Sequence, residues 1–584
     1  MRFDVAAGGH PQSSDAAKKM LVAASCLTAA LVTPPSTTIV GGGPAGLATA
    51  IMLARKGYKN IKVLDRLPPP AAAGDASVWS DTAKHYLVGL GGRGQEALKE
   101  IGAWEGVVEP FCATVVGRKD WNPGAAVDEG VERIFTDRPY KTRVIPRDRM
   151  VSCLYEYVKA TYPAVEFQHG VEVSSVLWDE EAEQEFAVLT CEPCVTSDSS
   201  PVGEAEACAA VEDGPGAFEL RTSLLIGADG TRRTIANAME ADDAGRLNPF
   251  RRFRVTRYED TSVRVYKTVP LSFPPDWRRD INYSCRTPTI NFDALPTLDG
   301  EYCGVLLIKP DDAAAQSLPD VAKAREYFDE LLPQFSHAIS DATLSQVIAK
   351  PPSRLPVFRF VGPRLHRGAS TVLLGDAIHT VKPYFGLGVN SAFEDVTALS
   401  RALDEASTSA DALEAYSRKR APEAKALVQL SRSFDRSGLA AFVTFVLPLI
   451  LDGIFHGAMP KLFAPNTLQM LQRVDVSFEQ IRWRKRLDRA VQVALLGVAG
   501  AAIAKVVLGG ARLVARQLLS QIGGATGGTP VRLLLSAVPL AATLGFALRK
   551  WMTVGGDVAD VLAAQKEGLG KAEEPEPLPA SASA

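Results

Sequence analysis

The apolar positions of this chain change period several times. Thr37–Val40 is a short β-branched run that predicts a buried strand, and Leu47–Lys56 then has helical spacing up to Gly57, a plausible helix cap. Asn60–Asp65 returns to strand character and ends on an acid. Residues 84–160 read as strand, helix, strand, strand, helix, with the last helix over Met150–Thr161. Residues 165–189 alternate like hairpin strands, and Ala217–Thr222 and Leu224–Ile226 resume strand character. Residues 250–310 are strand-rich, with turns at Phe273-Pro-Pro and Leu298-Asp-Gly300, and 318–349 is helical. Thr371–Leu374 is another buried strand, followed by a loop and a long helix through Leu403.

The pattern predicts an α/β fold: a Rossmann-like domain in two parts, 37–249 and 351–436, around an inserted mixed β-sheet with helices, 250–350. Two glycine stretches mark the first part. Gly41, Gly43 and Gly46 spell G-x-G-x-x-G between a strand and a helix, with Ala45 and Ala50 as further small residues and Asp65, then Arg66, closing the second strand. In this order the glycines permit a tight turn, close approach of a pyrophosphate and close helix packing, and the acid suits a ribose hydroxyl. Gly89, Gly91 and Gly94 spell the same pattern, but no second strand ending in an acid follows, so this stretch reads as a turn into a helix over Gly94–Ile101.

After Arg436 the composition shifts. Leu439–Leu451 is apolar but broken by Pro448 and Asp452, which favours a core or interfacial helix. Residues 480–489 (QIRWRKRLDR) are strongly basic, and two apolar runs follow, Ala490–Leu508 and Leu533–Leu548, joined through the turn-like stretch 521–530. They predict either a hairpin in or on a membrane, so that lipid is a partner, or two buried helices of a soluble domain; the region 437–560 is set apart on this ground. Residues 561–584 read as a disordered tail. At the other end, 1–36 has few acids, and Lys18-Lys19 precedes the apolar run Met20–Val32; this is the layout of a targeting segment for an organelle, mitochondrion or plastid, or else a disordered extension.

Over 584 residues the formal charge of −3 leaves no nucleic-acid footprint. The eight cysteines make no disulfide scaffold in so long a chain; Cys191 and Cys194 form a lone C-x-x-C beside an acidic, small-residue insertion, Cys191–Pro215. The seven histidines do not cluster as ligands, and no metal site is expected.

Further candidates lie on loops. Arg147 precedes a helix and is either a surface charge or a cofactor contact. The strand Leu224–Ile226 runs into Gly227-Ala-Asp-Gly230, where Asp229 caps the turn or meets a cofactor. Gly375-Asp376 follows the strand Thr371–Leu374, and Pro383, Gly386, Leu387, Gly388, Val389 and Asn390 lead into the long helix. Asp376 can accept a polyol hydroxyl, and the N–H groups at 387–390 open a helix.

These three motifs in this order resemble the single-component, class A flavoprotein monooxygenases, over roughly residues 36–430. Within that class the chain is most similar to the kynurenine 3-monooxygenase family, through GLGGRGQEALKEIGAWE, ALPTLDGEYCGVLLIKP and GDAIHTVKPYFGLGVNSAFED. The resemblance implies an aromatic-hydroxylase fold that binds FAD and is reduced by NADPH or NADH. It implies O2 adding at the flavin C4a as a hydroperoxide, and a small aromatic substrate. Pro383, Gly386 and Gly388 would then wall the reacting face, and His379 would pack or touch the flavin rather than act as an acid or base. Leu387 stands where the family usually has Gln, and Ser433-Phe434-Asp435 is only a loose counterpart of its Asn-Tyr-x-Glu segment. Polar contacts for an amino-acid substrate are therefore not evident, and a lipid or isoprenoid taken from a bilayer is the enzyme alternative. A tethered flavoprotein without turnover is disfavoured by the intact Gly and Asp positions, and a halogenase by the lack of W-x-W-x-I-P.

Overall fold

A computed structural model describes residues 36–522, apart from short stretches of which 195–215 is the longest. Thr37–Val40 lies inside a six-stranded sheet ordered His366–Arg367, Thr371–Leu373, Leu224–Gly227, Thr37–Val40, Ile61–Asp65, Glu166–His169. Neighbours are parallel except at the His366–Arg367 edge. Every residue of Thr37–Val40 and Leu224–Gly227 is buried, because helices and the antiparallel strands Val171–Glu181 and Gln184–Pro193 together cover the parallel sheet and leave no polar side to alternate with.

The helix after the first strand spans Pro44–Arg55, beginning earlier than the apolar spacing predicts because Pro44 suits a first helical turn. It can lie against the strand only because residue 46 is glycine: a Cβ there would stand 1.8 Å from the Gly41 carbonyl oxygen. The helix predicted over Met150–Thr161 begins at Arg147, since the strand Thr142–Pro146 enters it directly, and Asp148 in the first turn complements the helix dipole. Likewise the helix predicted from Gly94 begins at Gly92 and runs to Glu100. Val171–Glu181, Gln184–Pro193 and Phe218–Thr222 form a separate antiparallel sheet. Cys191 is a buried free thiol within it, whereas Cys194 is disulfide-bonded, so the C-x-x-C is not a pair. The rest of the predicted insertion, 195–215, lies outside the described residues.

A seven-stranded sheet runs Ser353–Arg354, Val265–Leu271, Tyr302–Ile308, Asn291–Pro296, Ile281–Arg286, Gly117–Trp121, Val131–Ile134. It is mixed: Ile281–Arg286 pairs parallel to Gly117–Trp121, and the other pairs are antiparallel. Two of its strands come from well before residue 250. One face packs on the helices Val321–Leu331, Pro333–Ser336 and Asp341–Ala349 through an aromatic core that includes Trp121, Tyr283, Phe292 and Phe335. Each of these rings contributes about 1.5–3 kcal/mol by burial. The opposite face is free to line a cleft.

The long helix of the second cofactor motif spans Leu387–Glu405 and is followed by Ser409–Ser433. Beyond them, Gly438–Ala441, a π-helical turn Phe442–Val446 and Leu447–Ala458 continue one another, so the apolar segment is longer than the predicted 439–451. Pro448 comes directly after the π-helical turn, so the widened turn and the proline fall at the same place in this continuous segment. The predicted apolar run 490–508 is the middle of a single 45-residue helix, Phe478–Ile522. The basic stretch does not interrupt it, because Lys485 and Arg489 pair with the buried Asp452 and Lys485 also with Asp488. Leu439–Ala458 and Phe478–Gln517 are each long and apolar enough to cross a membrane by length and composition, with mean hydropathies of 2.0 and 2.1 over an 18-residue stretch of each. The second arm of the predicted hairpin, 533–548, the leader through residue 35 and the tail 561–584 lie outside the described residues.

Candidate active site

The C-terminal ends of the parallel strands and the free face of the seven-stranded sheet enclose one cleft of about 1480 Å3. Gly41, Gly43, Ala45, Asp65, Arg66 and Arg147 line one part of it, and Asp229, Asp376, Pro383, Gly386, Gly388, Val389 and Asn390 continue the wall. Gly46 and Gly375 lie behind that wall, where they set backbone geometry. Thus positions scattered over three hundred residues of sequence are brought to one surface.

Gly41 has φ +107°, and a Cβ on it would lie 2.2 Å from the Ala228 carbonyl, so the two strand ends touch only through glycine. Over Gly43 the space is open; the nearest atom to an added Cβ is an Arg147 guanidinium nitrogen at 3.7 Å. Asp65 accepts the Gly42 N–H on one oxygen and the Leu67 N–H, at 2.7 Å, on the other. Each oxygen keeps a lone pair for a further donor. Arg147 pairs with Asp148 at 2.7 Å and stays partly exposed at the cleft.

Asp229 accepts the Ile235 N–H on Oδ2, so it does cap the helix Thr234–Asp242. Its Oδ1, shut off from solvent, has no partner among the described residues, and burial pushes the carboxyl up to about 6. Arg233, in the left-handed region at φ +58°, crosses to the second cofactor loop and donates to the carbonyls of Asp376, at 2.6 Å, and Ala377. Burial brings its guanidinium down to about 10. Nothing local in the sequence marks this clamp, because its partners lie 143 and 144 residues away.

Gly375, at φ +62°, donates its N–H to Asp395, which also meets His379 at 2.9 Å and Arg420. Burial alone would raise the Asp395 carboxyl, but Arg420 and His379 hold it below the ordinary range. His379 is fully buried and does not line the cleft; it braces the loop from behind. Asn390 likewise has its side chain engaged by protein: it accepts the Gly91 and Gly94 N–H groups and donates to the carbonyls of Gly89 and Gly386.

The other half of the cleft is side-chain built. Arg118, Asp120, Arg133, Asn282, Ser284 and Arg286 line it from the free sheet face. Beside Pro383, Lys382 is wholly buried between Asp260 at 2.9 Å and Asp435 at 2.7 Å, and Tyr384 donates to the second oxygen of Asp435 at 2.6 Å. Of these four, Tyr384 and Asp435 reach the cleft, flanked by the apolar Leu387 and Phe434. Sequence reading passed over Lys382, Tyr384 and Asp260, because their partners are far apart in the chain.

The cleft fits a flavin dinucleotide on two observations. The wall above Gly43 is open where a pyrophosphate would approach, and Asp229 Oδ1 is a buried acceptor lacking a donor.

Comparison with known proteins agrees with this geometry. Residues 35–431 match a family model described as FAD binding domain. The kynurenine 3-monooxygenase of Salinispora tropica is 26% identical over 469 residues, covering 78% of this chain and 92% of its own. That of Stenotrophomonas maltophilia is 25% identical over 477 residues, covering 77% and 90%. Among solved structures, a mutant of 2-methyl-3-hydroxypyridine-5-carboxylic acid oxygenase superposes with a TM-score of 0.50 at 19% identity, over 70% of this chain and 96% of that one, a likeness of fold.

Proposed function

The chain belongs to the FAD binding domain family and is an FAD-dependent monooxygenase, and from that premise we propose that it hydroxylates a small aromatic substrate with O2, using NADPH or NADH as reductant. The observation that carries this reading is a single cleft shared by the dinucleotide-type loops and a polar sheet face.

FAD, when bound, supplies the electron transfer and oxygen activation. The protein's share is to bind, orient and exclude water. The open backbone at Gly43 and Ala45, with the N-terminus of Pro44–Arg55 behind it, suits the pyrophosphate, and Arg147 faces the same space. Asp65 suits the ribose and Asp376 the polyol chain. The N-terminus of Leu387–Glu405 offers N–H groups of Gly388, Val389 and Asn390 to an anionic ring system. Pro383, Gly386 and Gly388 line the wall toward the substrate side.

A second reading is supported by the helix Leu447–Ala458 and the turns before it. Ala441 and Phe445 line the cleft, while Leu439 and Val443 on the same segment are exposed. This favours membrane association through the two apolar helices and a route by which a lipid or isoprenoid substrate enters from the bilayer.

Anaerobic stopped-flow reduction by NADPH, with and without L-kynurenine, tests the first reading. Strong acceleration supports a kynurenine-like substrate. Bound flavin whose reduction is accelerated only by lipid vesicles favours the second reading, and absence of reduction by either nicotinamide refutes both.

A further inference from the structure

The free face of the seven-stranded sheet carries more positive charge than it neutralises. Arg118 and Arg133 are direct partners across two antiparallel strands and both line the cleft, an arrangement in which like charges repel. Arg138 joins them from the segment after Val131–Ile134, its guanidinium laid over the Phe135 ring at 3.7 Å. Two carboxylates stand on the same face: Asp120, 2.8 Å from Arg118, and Asp293, 3.5 Å from Arg286. Among the described residues neither Arg133 nor Arg138 is ion-paired, so four guanidiniums face two carboxylates. Arg133 Nη2 is shut off from solvent and has no acceptor among the described residues.

Such an arrangement is costly for the protein alone. Burial lowers the pKa of Arg133 and of Arg138, and Arg118 lowers each further; of the carboxylates, only Asp120 acts in the opposite sense, on Arg133. A guanidinium does not shed its proton in a protein, so the excess charge persists until an anion meets it. The planar fork of arginine matches carboxylate and phosphate oxygens two at a time. Phe135, beneath Arg138, lines the same wall and sets an apolar ring beside the charges. The cofactor loops, with Gly43 and Arg147, form the other part of the cleft, so this excess is separate from the pyrophosphate seat.

We propose that Arg118, Arg133 and Arg138 form a cradle for two acidic charges on the substrate, so that the cleft takes aromatic dianions, as a dicarboxylate or an aryl phosphate. This rests on the hydroxylase reading above and names its substrate class. A zwitterionic amino-acid substituent fits the cradle poorly, because its ammonium would approach the guanidiniums and its single carboxylate would leave the excess uncompensated.

The test is calorimetric titration of FAD-loaded full-length protein. At neutral pH phthalate and phenyl phosphate are largely dianions, benzoate is a monoanion and L-kynurenine a zwitterion. Phthalate or phenyl phosphate should bind at least about tenfold more tightly than benzoate or L-kynurenine, with an affinity that falls as salt rises. Arg133→Gln should remove most of that advantage and yet melt no lower than the wild type, because it also relieves the repulsion from Arg118. Arg138→Gln should weaken dianion binding in the same way, and it reports if Arg133→Gln fails to fold. Dianions that bind no more tightly than benzoate, or equally well to both variants, overturn the cradle. Displacement of the bound dianion by NADP+ but not by NAD+ gives the charges to the reductant's additional phosphate and overturns the substrate assignment. Binding is read without turnover, so tight dianion binding by protein that cannot oxidise NADPH sustains the cradle while refuting the hydroxylase reading.

Discussion

The chain contains the same glycine spelling twice, and the two copies do different physical work. In Gly41–Gly46 the first and third glycines are needed for backbone contacts inside the protein, but Gly43 faces open space in the cleft. In Gly89–Gly94 it is the last glycine, with Gly92 before it, that is pressed against protein, while Gly89 and Gly91 line the cleft. A Cβ on Gly94 would fall 2.2 Å from Asn390 Oδ1, and one on Gly92 2.5 Å from the Tyr140 ring. The first loop keeps a vacancy for a ligand, whereas the second is a seat for the helix Leu387–Glu405, held by the Asn390 amide. A glycine pattern therefore carries binding information only through what its backbone leaves uncovered.

The largest expected effect comes from Gly46→Val. The 1.8 Å clash of the added Cβ with the Gly41 carbonyl is set by the backbone and cannot be relieved by a rotamer, so stability should fall by about 3 kcal/mol or more, read as loss of soluble protein or a lower melting temperature. Next, Gly94→Ala should cost about 1–3 kcal/mol, and Asn390→Ala a similar amount through four lost hydrogen bonds. In the double variant the added methyl finds the space the amide vacated. The two costs should then be clearly sub-additive in thermal melts, and simple additivity would break the seat assignment.

A smaller effect concerns the first loop's neighbour. Asp229 ionises at about 6 in the fold against an ordinary carboxylate value of 3.8. The folded state therefore holds the proton more tightly than the unfolded one. Its contribution is most favourable below the unfolded value and declines as pH rises through about 6. FAD-free protein should lose about 1–2 kcal/mol from this group between pH 4 and pH 7, and Asp229→Asn should remove that component of the pH dependence, as followed by denaturant melts at each pH.

The parallel strands, the glycine turn, Asp65 and the Gly375-Asp376 loop were legible in sequence because parallel strands are continuous apolar runs and their loops use residues with few conformational substitutes. The side-chain half of the cleft was not. Arg118 and Arg133 sit on short strands that join the sheet only through the distant Ile281–Arg286, so nothing local places them at the cleft. Lys382, Asp260 and Asp435 come together across 122 and 53 residues. The continuity of Phe478–Ile522 was missed for a related reason. Its basic residues look like a boundary until Asp452, from another helix, neutralises them.

The most direct test of the difference between the loops is the flavin content and FAD affinity of Gly43→Ala beside those of Gly94→Ala. Gly43→Ala should melt within about 0.5 kcal/mol of wild type yet bind FAD at least about tenfold more weakly, while Gly94→Ala should lose stability but, once folded, keep its flavin affinity. Undiminished FAD binding in Gly43→Ala, or selective loss of flavin from a stably folded Gly94→Ala, would contradict that difference.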